Sequence, residues 1–197
     1  MANFHSAAVR FGKPGLLYIA PLGTPEPTTE TDAWPAPVAP ATVGWVPLGY
    51  TDAGSTFTYS TTIDKVEVAE ELEPIAYTPT SREAKVDVSL AEMTYRNLQI
   101  AFNGGVILGD GTSWTFEPPD LGTEQRVMLG WDASPDPTNN DLRFIFRRVL
   151  NGGSLNIDNK KGTQKQLIVC SFSLEKPTDG SKILKIMGSD TLNPDET

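Results

Sequence analysis

The chain has 197 residues, with 25 Asp and Glu against 16 Lys and Arg, for a formal charge of -9. That length suits one core, and so acidic a balance is repelled by phosphate backbones, which excludes tight electrostatic binding of nucleic acid. A single histidine, His5, and a single cysteine, Cys170, remove the Ser-His-Asp, Cys-His and His-zinc chemistries and any intramolecular disulfide.

Residues 1–14 read as an N-terminal arm. The apolar run Leu16–Ala20 is too short for a signal-peptide core or a bilayer span, so no membrane association is expected. Gly15 to Pro21 reads as a short strand. Pro21, Pro25, Pro27, Pro35, Pro37 and Pro40 then rule out a helix or a central strand over residues 21–44. A loop of that length is expected to serve outside its own domain, by reaching a neighbouring copy. Trp45 to Tyr50 resumes extended structure, and Thr51–Gly54 has the composition of a turn.

From Ser55 onward Phe57, Tyr59 and Ile63 keep one parity and Val66 and Val68 the other. The strand must therefore change face near Asp64–Lys65, which implies a bulge. Residues 64–83 are expected to form a second long loop, acidic at Asp64, Glu67, Glu70, Glu71 and Glu73. Ala84 to Leu90 alternates as a strand, with Val86, Val88 and Leu90 on one side and Lys85, Asp87 and Ser89 on the other. Helical spacing follows over Ala91–Asn103, stopped by Gly104-Gly105.

The remainder reads as strands separated by turns: Ser113–Glu117, Gln125–Asp132, Leu142–Leu150, Gln166–Leu174 and Lys182–Met187, before a tail at 188–197. In Leu142–Leu150, Phe144 and Phe146 lie opposite Ile145 and Val149. About eight strands and one helix predict a mainly β fold, an antiparallel β-sandwich or partly closed barrel with one flanking α-helix and long interaction loops.

Chemical motifs are scarce. The sequence holds no phosphate-loop, H-E-x-x-H or G-x-S-x-G pattern. Asp132, Asp136, Asn139, Asn140 and Asp141 offer oxygen ligands for calcium, but the central Gly and terminal Glu of an EF-hand loop are missing. Cys170 shares parity with Ile168, Phe172 and Leu174 and reads as a buried hydrophobe. Trp34, Trp45, Trp114 and Trp131 read as packing residues, with a sugar-stacking platform as the alternative. Residues 1–141 carry -12 and residues 142–197 carry +3, an asymmetry that suits head-to-tail association of copies.

Beyond composition, the order W-V-P-L-G-Y-T-D-A-G-S-T-F from Trp45, the acidic Glu67–Glu73 stretch, Pro74, Thr80-Ser81-Arg82 and V-D-V-S-L-A-E-M before a short helix ending at Asn103-Gly104 resembles the major tail (tail tube) proteins of long-tailed phages, especially those of actinobacterial hosts. The resemblance implies a structural subunit with no cofactor and no enzymatic role, assembled in the host cytoplasm into the virion tail. It also implies hexameric rings stacked into a tube through which DNA passes without specific binding, and contacts with copies of itself, a tape-measure protein and other tail proteins. On that footing Glu67, Glu70 and Asp87 are expected near the lumen, because Val66, Val68, Val86 and Val88 then face the core. Glu67, Glu70, Glu71 and Glu73 are expected to meet Arg143, Arg147, Arg148, Lys160 and Lys161 of an adjacent copy. The alternatives are a carbohydrate- or cell-surface-binding β-sandwich module and a β-rich hydrolase using paired carboxylates.

Overall fold

A computed structural model describes residues 15–37, 44–109, 112–133, 142–152, 157 and 165–189. In chain order the elements are β1 (Leu16–Pro21), β2 (Val46–Pro47), β3 (Thr51–Val66), β4 (Ala76–Leu90), α1 (Tyr95–Ala101), β5 (Val106–Gly109), β6 (Trp114–Glu117), β7 (Val127–Asp132), β8 (Leu142–Asn151), β9 (Ile168–Leu174) and β10 (Leu184–Gly188). Among the described residues the fold is mainly β, with antiparallel pairing and one helix. Strands run in the order β2-β1-β7-β8-β9-β4-β3, with β10 also on β8, and β5 and β6 form a separate hairpin.

The two edge strands β2 and β3 are joined by only Leu48, Gly49 and Tyr50, a linker that spans at most ~11 Å. Both edges must therefore meet at one end. Leu48 N–H bonds Leu17 O and Ala91 N–H bonds Tyr50 O, each at 2.9 Å, which fastens the linker to β1 on one side and to the end of β4 on the other. The sheet curls on itself without closing fully.

Its concave side holds the main core: Leu17 and Ile19 of β1, Val86, Val88 and Leu90 of β4, Leu129, Phe146, Val149, Ile168, Cys170 and Phe172, capped by Leu98, Ile100 and Ala101 of α1. The strict alternation at the end of β4 puts Val86, Val88 and Leu90 here, at about 1.5–3 kcal/mol per fully buried side chain. Burial alone pushes the Cys170 thiol up to about 12, so it acts as a small hydrophobe.

Several expectations change in detail. The helix is only Tyr95–Ala101, because the Thr94 side chain caps it by accepting from Asn97 N–H, and Asn103 leaves it with a φ of 58°. Thr51–Gly54 lies within β3 as a register irregularity and not as a separate turn. Val149 joins Phe146 in the same core despite opposite parity, since the β7–β8 register shifts between Val127 and Leu129 and places an extra residue in β8. Val106–Gly109 is a strand that the short V-I-L-G run did not announce. The largest correction concerns residues 64–83, where only 67–75 are a loop; the flanks continue β3 and β4 as one long hairpin.

Candidate assembly surface

Residues 22–37 pack on the convex side of the sheet, over β1, β7, β8 and β10. The Pro25 carbonyl accepts the Trp45 indole N–H at 2.9 Å. Glu26 takes a two-point ion pair from Arg147, Nε to Oε1 at 2.6 Å and NH2 to Oε2 at 3.0 Å, which also raises the Arg147 pKa. Asp32 closes a small turn by accepting from the Thr28 hydroxyl and from the Thr28 and Thr29 N–H groups, and these bonds bring its carboxyl down to about 2.

Trp34 is the anchor. Its ring stacks on Tyr18 with centroids 4.8 Å apart and tilts against Trp45 at 4.5 Å, while its Nε1 donates to Asp132 Oδ2 at 2.8 Å. A Cβ at Gly130 would meet that ring at 2.3 Å, so β7 needs glycine there. Arg143 lies 4.3 Å over the Trp34 ring, donates Nε to Asp132 Oδ1 at 2.7 Å and uses NH1 on the carbonyls of Thr29 and Asp32 at 3.1 and 2.8 Å. Burial, and then the Asp132 charge, raise the Tyr18 pKa beside it.

Here the chain makes internal contacts where two expectations put contacts between copies. The described part of the Pro-rich loop is bound to its own chain, because prolines forbid a ladder but not a docked aromatic. Arg143, with a side chain only 3% exposed, has nothing to offer a neighbour. Arg147 is held by Glu26, and Arg148 donates Nε to Glu175 at 2.8 Å, a carboxylate that Arg126 also meets. These guanidinium groups, Arg148 first, hold Glu175 below the usual carboxylate range. Lys160 and Lys161 lie outside the described residues.

The β3–β4 hairpin behaves in the opposite way. β4 pairs with β9 only over Lys85–Leu90, so beyond Ala84 it is held by β3 alone. From Thr58 to Glu83 every side chain except half-buried Pro74 is exposed. The register shift between Thr62 and Ile63 places its extra residue, Thr80, in β4, so β3 keeps its alternation and the change of face expected near Asp64–Lys65 does not occur in it. The ribbon has two unlike faces. Tyr59, Ile63 and their partners Ala84 and Pro79 continue the core side outward with Tyr77, whereas Thr58, Ser60, Thr62 and Asp64 oppose Lys85, Glu83, Ser81 and Thr78 on the other side.

A two-stranded ribbon is marginal in water by itself. This one exposes Tyr77 by 64% and Ile63 by 56%, and among the described residues no strand covers either of its edges. Apolar side chains and unpaired backbone groups together make a template for another chain. At the tip, Glu67 is paired with Lys65, Glu70, Glu71 and Glu73 are exposed, and Leu72 stands fully in solvent.

Asp87 lies at the ribbon's root, opposite Thr56 and Ser171, on the solvent side of β4. Eleven residue steps along the strand separate it from Ala76, roughly 36 Å, so the structure does not bring Asp87 together with Glu67 and Glu70. Val86 and Val88 do face the core, but Val66 and Val68 are partly exposed, which removes the packing reason for turning Glu67 and Glu70 to a lumen. Of the metal-type segment, Asp132 is committed to Arg143 and Trp34, Asp136 to Asp141 lie outside the described residues, and the described residues hold no cluster of metal-ligating side chains. Trp34 and Trp45 are packed together and Trp131 stacks on Phe144, which leaves Trp114 alone exposed and no shared platform of the four.

A family model described as phage tail tube protein matches residues 1–162. The chain belongs to the phage tail tube protein family. It is therefore a structural component of the virion tail, in a family of non-enzymatic subunits. No curated protein matches it in sequence. Among solved structures, a chain of the anti-feeding prophage baseplate studied by cryo-electron microscopy aligns over 91% of this tail tube protein and 97% of that chain, at 8% identity and a TM-score of 0.49. That likeness is too loose to carry any argument about fold or role.

Proposed function

We propose that this tail tube protein assembles with copies of itself into hexameric rings that stack into the tube of a long-tailed phage, with the genome passing through the lumen without specific binding. The observation that carries the proposal is the two-faced, open-edged ribbon. A neighbouring copy that covers it supplies the burial and backbone pairing that the single chain lacks. Six chains bring a formal charge of -54 to each ring, which favours passage of DNA over adhesion. The wall facing DNA is then the solvent side of β9, β4 and β3, where Ser171, Ser173, Ser89, Thr56, Thr58 and Ser60 surround Asp87 and Lys85. The tape-measure protein and other tail proteins are the further partners in this reading.

Electron microscopy of the purified protein at high concentration tests it. Rings or tubes with six-fold end views are expected. Uniform small particles at every concentration would contradict self-assembly.

A further inference from the structure

We infer that the cavity between the start of the Pro-rich loop and the β9–β10 turn is the receptor for the hairpin tip of a second copy. The inference rests on the self-assembly proposed above and names the two surfaces that would meet. The cavity measures about 570 Å³ and is walled by Leu22, Met128 and Pro177, with Arg147 and Arg148 beside the acids Glu26 and Asp179 among its polar residues. It lies where β7 and β8 shift register, so the bulge that returns Val149 to the core also leaves Arg147 and Arg148 beside the opening.

The tip offers an apolar knob for the apolar wall, and acids for a rim on which Arg147, Arg148, Lys176 and Lys182 outnumber Glu26, Glu175 and Asp179. Leu72 is a fully exposed apolar knob set among Glu70, Glu71 and Glu73. Among the described residues Arg148 spends only Nε, on Glu175, and its terminal nitrogens meet no acceptor. Exposed Lys176 and Lys182 flank the same turn and form no ion pair among the described residues. Leu72 against Leu22, Met128 and Pro177, with Glu71 and Glu73 turned to Arg148 and Lys182, removes the knob from water and pairs acids with cations. No hairpin residue lines the cavity of its own chain, so a tip seated there comes from another copy. A tip in a pocket is a heterologous contact, and it repeats from copy to copy without being satisfied by a symmetric dimer.

Two substitutions separate the halves without touching the fold, because both side chains are exposed. Leu72→Asp spoils the tip and keeps the pocket; Leu22→Asp spoils the pocket and keeps the tip. Each alone is expected to raise the concentration needed for assembly about tenfold or more, equivalent to about 1.4 kcal/mol per contact. Mixed in equal amounts, they should form a dimer by sedimentation velocity, since one intact tip then meets one intact pocket, and should stop there. If the mixture gives no more dimer than either variant alone, or if Leu22→Asp assembles like the wild type, the receptor assignment is wrong and the tube reading stands on its own test. A mixed dimer from a protein whose wild type never builds rings would uphold the receptor and overturn the tube.

Discussion

The Pro-rich loop at residues 22–37 and the β3–β4 ribbon both leave the sheet for more than a dozen residues, yet one is bound to its own chain and the other is not. The loop has little regular structure but sits on the sheet through Trp34, Glu26 and the carbonyls that Arg143 collects. The ribbon has complete β pairing between its strands and almost no contact with anything else. Regular hydrogen bonding therefore does not mark what a domain keeps for itself. Burial does, and the ribbon is the region left for a partner.

Excising the ribbon should break the comparison most visibly. Replacing residues 63–80 with an Asn-Gly turn between Thr62 and Ser81 should abolish assembly and change folding stability by no more than about 1 kcal/mol, because the removed side chains are exposed. Sedimentation velocity and urea unfolding measure the two effects. A variant that lost much of its stability would show that the ribbon belongs to its own domain's core.

Next in size is Arg143→Leu. Removing the buried guanidinium takes two charge-assisted bonds from Asp132 and strips two loop carbonyls of their donor, so a loss of about 3–5 kcal/mol is expected. Urea unfolding of the monomer reads this loss. An effect below 1 kcal/mol would mean that the loop is not latched as described.

The ribbon and the loop were unequally legible in sequence, for different physical reasons. Val86, Val88 and Leu90 announced β4 because one of its faces is buried, whereas the parity change around Ile63 marked no change of face in β3, since the bulge's extra residue is Thr80 of β4. Past Ala84 both faces meet water, so Thr58, Ser60 and Glu83 carry no periodic signal, and Pro74 with four glutamates looks like loop. Pro79 is tolerated because it stands beside the bulge on a strand with no outer partner. The Pro-rich loop misled in the other direction. Its binding partners lie about a hundred residues away, at Asp132 and Arg143, and the one local hint was Gly130 in the middle of an apolar strand, a mark of close approach. The charge asymmetry pointed to the basic C-terminal part, but three of its arginines proved to be paired internally.

A smaller effect sharpens the same contrast through pH. Asp32 titrates at about 2 in the folded protein, below the ordinary 3.8, so its contribution is complete above the ordinary value and is lost as pH falls toward 2. Asp32→Asn should therefore reduce the acid sensitivity of unfolding between pH 4 and 2 and leave assembly near pH 7 unchanged. Equal loss of stability with acid in both proteins would remove Asp32 from the loop's closure.

Amide hydrogen exchange, compared between monomer and assembled protein, tests the central claim most directly. Residues 59–66 and 76–84 should exchange fast at their outward-facing amides in the monomer and become protected on assembly, as a neighbour covers the ribbon, while residues 22–37 keep the same protection in both states. Unchanged ribbon amides, with new protection appearing over 22–37, would contradict the account.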